Sequence, residues 1–582
     1  MLKLYYFFKN NIDHSLLFLF ILGIIVSFFE LIGMSLLLPI FQPDYNGKFA
    51  EYIKYTLSLF NINYNIINLS IFIFIIFLSK FIISVFQEYK YHKISNIFLS
   101  NIRKKIVDII THADYLKVNK YSFSEINNLL TKETEKAYEL FFYIMQISVV
   151  CTLMIGYLSM AFFLNVKYTL VMIIFGIFIM LVYKKLNRKV KYYSYEILNK
   201  SERINKYLTE LIVYLKYLKV TNCINTYNKY MKESSDEYSH IKYKQAFLGG
   251  LTKRSSEPIG ILMILLMVSY NNIYEGKSNI EIAFVALFLY KVFTTFTNFQ
   301  YMYQKILAVH ASTFKIIDFE NTLKNSQNKN NENKIYFNEL LKTITLNNLS
   351  FKIENKKIID NISYKFERSK IYGIVGNTGA GKTTLINLIS GLYIAEDNCM
   401  KYNNTNVNQI DIRKLSEKIA YVSQENFVFE DTLLNNIISW NKEYEKDVEQ
   451  YIKISALSKL VDDLGLESNI GSFGTTLSGG QKQRICLARE LIKQPDVLIL
   501  DEATSALDAN TEKEIMGNII SLKDDKITFV IAHRLSTLFK MDEIIFLKNG
   551  KIEASGNFFE LYHTNCEFKK MCNNQNINLD NE

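Results

Sequence analysis

The sequence predicts an α-helical six-span membrane domain fused to an α/β domain. Three observations predict it. In a chain of 582 residues, 49% hydrophobic and 14% aromatic content is rich for a soluble protein. Six apolar segments in the first 320 residues are each long enough to cross a bilayer, which takes roughly 20 residues of helix. From Ile335 onward, short β-branched runs alternate with helical segments, the pattern of an α/β fold. The expected division is a membrane domain over residues 1–320, a linker over 321–334 and a soluble domain over 335–582.

The spans are read at residues 14–40, 66–90, 137–164, 168–187, 256–274 and 279–309. The first apolar run, Leu16 to Ile40, is too long for a cleavable leader and lacks a small-residue cleavage site, so it is expected to be retained. Spans three and four are separated only by a short polar break at Asn165 to Tyr168, a tight hairpin on a side with little charge. Arg103-Lys104-Lys105, Lys184-Lys185 and Arg188-Lys189 lie on the other side, and the positive bias puts both termini and the long loops in the cytoplasm. Between spans two and three, and between four and five, polar tyrosine-rich stretches keep helical spacing. They read as helices running on beyond the bilayer, with turning points at Asp114 to Ser124 and Lys216 to Tyr227 offered as contact surfaces for a soluble domain. Phe49, Tyr52, Ile53, Leu57 and Phe60 fall at helical spacing after span one and read as an amphipathic helix on the outer surface.

Composition also excludes functions. The net charge of +10 is that of a membrane protein with basic cytoplasmic loops, and no nucleic acid partner is expected. Six scattered cysteines without a C-x-x-C pair give neither a zinc site nor a disulfide framework. Charge at membrane depth is costly and faces a partner or a cavity. Glu30 lies in span one, Lys80 in span two and Lys291 in span six, while Lys253 and Arg254 open span five, where Pro258 is placed to kink the helix. One reading is a basic substrate cavity of Lys80, Arg254 and Lys291 with Glu30 as a gating or pairing residue. The other is that the lysines snorkel to an interface and Glu30 pairs with one of them.

After the polar, aperiodic linker NTLKNSQNKNNENK, expected strands are ITLNNLSF, KIYGIVG, IAYVSQ, VLILDEA and ITFVIAH. The second runs into Gly376-Asn377-Thr378-Gly379-Ala380-Gly381-Lys382-Thr383-Thr384, a glycine-rich loop opening a helix with phosphate-loop spacing. Its glycines let backbone N–H groups surround phosphate oxygens, Lys382 reaches the β/γ-phosphates and Thr383 holds Mg²⁺. Val497 to Leu500 is a buried strand ending in Asp501-Glu502, which suits a Walker B element: Asp501 serves the Mg²⁺ shell and Glu502 polarises the attacking water.

Leu477-Ser478-Gly479-Gly480-Gln481 follows the phosphate loop and precedes the Walker B strand. In that order these motifs resemble the ATP-binding cassette family, and six spans ahead of one cassette resemble its exporter-type half-transporters over nearly the whole chain. The resemblance implies an α-helical six-span membrane domain fused to an α/β ATP-binding cassette domain. It implies that Gln424 in AYVSQENF is the Q-loop glutamine, near the γ-phosphate and Mg²⁺, that Ser505-Ala506-Leu507-Asp508 is the D-loop, and that His533 in VIAHRLST is the switch histidine. Two departures stand out. The family's adenine-stacking aromatic position holds Ile353, with Phe351 as the substitute, and an acidic residue expected ahead of the signature is replaced by Ser472.

The resemblance implies an ATPase whose site is completed by a second chain: Lys382, Thr383, Asp501, Glu502, Gln424 and His533 of one copy face Ser478, Gly480 and Gln481 of the other, with ATP and Mg²⁺ between. Because this half is complete, a homodimer is the simpler expectation, a heterodimer the alternative. The expected location is the bacterial inner membrane with the cassette in the cytoplasm. The span-one stretch SFFELIGMSLLLPIF, the outer helix and the three cations are similar to the lipid-linked oligosaccharide flippase of bacterial N-glycosylation, which implies a polyprenyl-pyrophosphate glycan as substrate. The alternatives are an exporter of peptides or amphipathic drugs and, from another class, a non-transporting cassette ATPase.

Overall fold

The computed structural model describes residues 7, 15–37, 66–275, 279–327, 335, 337, 339–471, 477–503, 506–532, 534–577 and 579. The chain divides into two compact units, residues 1–113 with 117–325, and residues 114–116 with 326–582. The expected outer helix over residues 49–60 lies outside the described residues.

The first unit is helical. Its long helices are α1 (Ser15–Ser35), α2 (Ile66–His112), α3 (Thr134–Leu164), α4 (Val166–Val213), α5 (Ile224–Arg254), α6 (Ser256–Tyr270) and α7 (Asn279–Gln327). By length and composition, five stretches among the described residues suffice to cross a membrane: Phe18–Ser35, Ile66–His112, Phe123–Leu164, Val166–Val213 and Ile224–Ile273. The last of these runs through α5 and α6. Helix α7 continues the series and buries Phe288 and Phe293 in the same core as Tyr157 of α3 and Met172 of α4.

The breaks between helices follow local chemistry. Asn165 ends α3 in an extended conformation and caps α4, its side-chain oxygen accepting from the Tyr168 amide at 3.2 Å. One residue therefore makes the whole hairpin turn. Helices α2 and α4 run well past a membrane's thickness, 47 and 48 residues long, about 70 Å each at ~1.5 Å per residue. The turns at their far ends contain the short helices Tyr115–Val118 and Leu215–Val220. Pro258 does not kink a continuous helix. The helix ends at Arg254 and restarts at Ser256, two residues ahead of the proline, because the Arg254 carbonyl has no N–H to meet four residues on.

The linker expectation is corrected at its start. Helix α7 extends to Gln327, into the segment that composition assigned to linker. Leu323 is fully buried there, and Lys324 pairs with Glu320 one turn earlier at 3.9 Å, so a polar stretch with one inward leucine stays helical.

Among the described residues, the second unit holds two sheets. The smaller has the order β2-β1-β4-β5, from β1 (Thr343–Ile353), β2 (Lys356–Glu367), β4 (Met400–Tyr402) and β5 (Thr405–Asn406). The larger has the order β10-β9-β3-β8-β7-β6, from β3 (Ile371–Gly376), β6 (Ile419–Val422), β7 (Val497–Asp501), β8 (Ile527–Ile531), β9 (Glu543–Lys548) and β10 (Lys551–Gly556). Five neighbouring strands, β9 to β6, pair in parallel, and β10 closes one edge antiparallel. Every residue of β3, β7 and β8 is buried, as befits a parallel sheet covered on both faces. Alternation divides them. Val375, Leu498, Leu500 and Val530 face a core shared with Ile485 and Leu491, while Ile374, Ile499 and Phe529 face one shared with Leu385 and Leu388.

Candidate functional site

The phosphate loop leaves the buried end of β3 and enters helix α8 (Lys382–Ile389) through Gly381. Gly376 has φ +154°, and a Cβ there would stand 2.1 Å from the Leu547 carbonyl oxygen of the neighbouring strand. Gly381 caps α8 at φ +102°, with a Cβ 2.9 Å from Ile359. Both are positions only glycine occupies without strain. A Cβ at Gly379 would meet nothing within 4 Å, so the middle of the loop is an open cradle. The first N–H groups of α8 have no intrahelical acceptor and carry the positive end of the helix dipole. Lys382 folds over the loop and donates to the carbonyls of Gly376 at 2.7 Å and Asn377 at 3.2 Å. Half-burial holds its pKa below the ordinary lysine value, opposed by the nearby charges of Glu502 and Asp501. Thr383 is exposed on the first turn.

Strand β7 delivers the acidic pair. Asp501 is buried at its end, and Tyr421 of β6 donates its hydroxyl to Asp501 Oδ2 at 2.9 Å. Burial and that carboxylate push the Tyr421 phenol well above its usual pKa, so it remains a donor. Glu502 takes a left-handed backbone conformation, φ +52°. Its amide donates to the Ile531 carbonyl at 3.2 Å, its carbonyl accepts from Gln483 Nε2 at 3.1 Å, and its carboxylate accepts from Gln424 Nε2 at 2.7 Å. A strained residue bound at three points is over-determined by its surroundings. The predicted residues Lys382, Asp501, Glu502 and Gln424 thus converge on one end of the sheet.

The signature begins helix α9 (Gly479–Leu491). Ser478 forms a reciprocal capping box with Gln481: its hydroxyl accepts from the Gln481 amide at 3.2 Å, and its own amide donates to Gln481 Oε1 at 2.8 Å. Gly480 packs on the backbone of Ala506, where a Cβ would lie 3.0 Å from the carbonyl oxygen. Among the described residues, no hydrogen bond joins Ser478 to the phosphate loop of its own chain. His533, Ser505 and Ser472 lie outside the described residues.

Three residues of the site escaped the sequence reading. Tyr421 is a polar tip on an otherwise apolar strand, and that mismatch in IAYVSQ was its only signal. Gln483 bridges the signature helix to the Glu502 carbonyl and accepts from the Ala506 amide at 3.3 Å. Arg489 is buried, with its guanidinium 5.2 Å from the Phe427 ring and 5.1 Å from the Phe429 ring, and it donates to the Asn436 carbonyl at 2.7 Å. It ties α9 to the segment after Gln424. The adenine expectation also changes. Phe351 is stacked on Tyr393 at 5.4 Å with the rings 10° apart, so one face of the substitute aromatic is already covered.

In the first unit, Lys80 Nζ is 3.0 Å from Glu30 Oε2, and Glu30 also accepts from the Tyr157 hydroxyl. The pairing reading of Glu30 therefore describes Lys80. Lys291 is half-buried on α7 and Arg254 is exposed at the end of α5. Breaking a desolvated pair strands the remaining charge. Glu30→Gln is expected to destabilise the membrane unit by about 2 kcal/mol, read as a lower midpoint in detergent thermal unfolding, and Glu30→Gln with Lys80→Met is expected to recover most of that loss. Elsewhere the basic side chains also serve structure: Arg103 donates to the Leu130 carbonyl at 3.0 Å, and Lys105 pairs with Glu320 at 3.0 Å.

Comparison with known proteins agrees with this arrangement. Residues 15–296 match the ABC transporter transmembrane region, and residues 359–505 match the ABC transporter model. The chain belongs to the ABC transporter family. It is a half-transporter, one membrane domain with one ATP-binding domain. It is 32% identical over 320 residues to the ATP-dependent lipid A-core flippase of Vibrio parahaemolyticus, covering 53% of this chain and 54% of the relative. It is 26% identical over 448 residues to the heterocyst differentiation ATP-binding protein HepA of Nostoc sp., covering 75% and 72%. The chain thus spans about half the length of the flippase it matches. Among solved structures, a bacterial Atm1-family ABC exporter with ATP bound superposes with a TM-score of 0.78 at 18% identity, over 96% of this chain and 98% of that one. That likeness establishes the fold.

Proposed function

We propose that two copies of this ABC transporter half form an ATP-driven exporter or flippase in the bacterial inner membrane, with the cassettes in the cytoplasm, that moves an anionic lipid-linked substrate. The observation that carries the reading is the bond from Gln424 to Glu502, which sets a Q-loop amide and a carboxylate beside the phosphate-loop lysine. In this reading the backbone of residues 376–384 and Lys382 bind the phosphates. Glu502 takes the proton of the attacking water, Gln424 orients both, and His533 holds the γ-phosphate side. The signature Ser478, Gly480 and Gln481 close the site of the other copy, with Ser478 and Gln481 already ordered by their capping box.

The residues fit Mg²⁺. Among the described residues no cluster of three His, Cys, Asp or Glu forms a metal cage, and Mg²⁺ ordinarily takes one or two protein oxygens with phosphates and water. Thr383 and Asp501 would hold it, with Gln424 at the edge of its shell. When bound, the ion neutralises charge on the β- and γ-oxygens. Tyr421 keeps Asp501 aimed. Tyr421→Phe is expected to raise the half-saturating Mg²⁺ concentration for nucleotide binding about tenfold, the worth of a hydrogen bond to a charged group, while binding measured in EDTA is unchanged.

For the substrate, the finer reading is a polyprenyl-pyrophosphate glycan. With Lys80 held by Glu30, Arg254 and Lys291 are the cations assigned to its pyrophosphate, and the flippase relatives favour a lipid over a peptide. In liposomes, such a glycolipid is expected to stimulate ATP hydrolysis several-fold, and Arg254→Gln with Lys291→Gln to remove the stimulation. Stimulation by a peptide panel alone would move the assignment to a peptide exporter.

A further inference from the structure

Two lysines of the membrane unit share one tyrosine ring. Helices α5 and α7 are pinned together where Gln304 Nε2 donates to Thr252 Oγ1 at 2.8 Å, a bond buried at both ends. The next residue on each helix is a lysine. Lys253 of α5 holds its ammonium 5.5 Å from the centre of the Tyr301 ring, and Lys305 of α7 holds its own 5.3 Å from the same centre. The ring lies along α5, where a Cβ at Gly249, one turn before Lys253, would stand 3.7 Å from it. Among the described residues, no hydrogen bond or ion pair reaches either ammonium. Acids are close by: Glu257 is one turn on from Lys253, and Glu139 of α3 feels the charge of Lys305 together with that of Lys136. Neither closes a pair, and Lys253 lies on Tyr301 beside a like charge. A ring face attracts a cation less than a carboxylate does, so two like charges set together here leave a positive field between the helices. The pair sits where the polar helix α5 gives way to the apolar helix α6, which is the level of lipid headgroups, where tyrosine rings also gather.

We infer that Lys253 and Lys305 clamp the phosphate of an anionic membrane lipid, with Tyr301 setting their spacing. An ammonium is a compact point charge with three donors, and a phosphate has oxygens for both. The clamp differs from the cations assigned to the substrate, Arg254 and Lys291, and it stands whichever substrate the transporter moves.

The test uses the full chain in detergent without nucleotide, with native mass spectrometry reading the retention of dioleoyl phosphatidic acid against dioleoylglycerol, its uncharged twin. Lys253→Gln with Lys305→Gln is expected to weaken binding of phosphatidic acid about 25-fold, about fivefold for each lysine at a lipid surface, and to leave dioleoylglycerol unchanged. Because the double variant loses a repulsion and no bond, its lipid-free thermal midpoint is expected to hold or rise; a lowered midpoint marks a structural role and overturns the proposal. Tyr301→Phe is expected to keep the affinity and Tyr301→Leu to lose it several-fold, since only leucine removes the ring that spaces the ammoniums. Lys184→Gln with Lys185→Gln removes the same charge from exposed positions on α4 and is the control. An equal loss in that control, or equal retention of the two lipids by the unmodified chain, overturns the proposal. Displacement of phosphatidic acid by inorganic pyrophosphate at the lipid's own concentration assigns the clamp to a soluble phosphate and overturns the lipid source. ATP hydrolysis is measured on the same variants, so failure here is distinct from failure of the transport assignment.

Discussion

Glu502→Gln is expected to bind ATP with undiminished affinity and to lose turnover by about a thousandfold, the scale of a removed general base. The side chains are nearly isosteric, so the substitution keeps the backbone bonds from Gln483 and to Ile531 that hold the left-handed residue. What it removes is the proton acceptor and one negative charge beside Lys382. Nucleotide should therefore be trapped between two copies, visible as a stable dimer of cassettes by crosslinking and as retained radiolabelled ATP. Hydrolysis at the unmodified rate would sink the assignment of Glu502. A parallel Gln424→Ala variant, which loses the 2.7 Å bond to the carboxylate, is expected to slow turnover about a hundredfold while leaving some activity, because it orients the base without replacing it.

Gly376→Ala is expected to be the most damaging single methyl in the second unit. Its Cβ would stand 2.1 Å from the Leu547 carbonyl oxygen, where the obstacle is a neighbouring strand's backbone that has no rotamer with which to move aside. A cost of about 3–5 kcal/mol follows, in the range reserved for backbone conflicts in a core. The measurement is the thermal midpoint of the full chain with and without ATP: the variant should melt earlier and gain nothing from nucleotide. Gly379→Ala is the control. It also has positive φ, +82°, but its Cβ meets nothing within 4 Å, so only the conformational penalty of about 1–2 kcal/mol remains. If both substitutions cost the same, the strand contact is not what excludes a side chain at residue 376.

Much of the molecule was legible before any coordinates. Hydrophobic runs of spanning length marked the helical unit because a bilayer sets a minimum length for an apolar helix. The five expected strands ITLNNLSF, KIYGIVG, IAYVSQ, VLILDEA and ITFVIAH all appear, as β1, β3, β6, β7 and β8; the last four are the buried parallel strands, the most apolar short runs in such a domain, while β1 is antiparallel and alternates. Strands β2, β4, β5, β9 and β10 were not anticipated. The burial pattern of β10 has no fully buried residue, and a strand half in water has little to distinguish it from a loop. The helical start of the linker escaped for the converse reason: Asn, Lys and Glu are tolerated on a solvent-facing helix, and a single inward leucine is too little periodicity to read.

By itself the sequence determined the chemistry on offer: a glycine-rich loop with its lysine, an acidic pair after an apolar strand and a capped signature serine. These depend on residue type at short spacing, which a one-dimensional reading resolves. Only the tertiary structure decided which groups meet. It set Gln424 on Glu502 across 78 positions, Tyr421 on Asp501 across 80 and Glu30 between Lys80 and Tyr157. Parallel pairing of β6 with β7 and the packing of α1 on its neighbours bring those atoms together, and hydrogen bonds and ion pairs act only at a few ångströms.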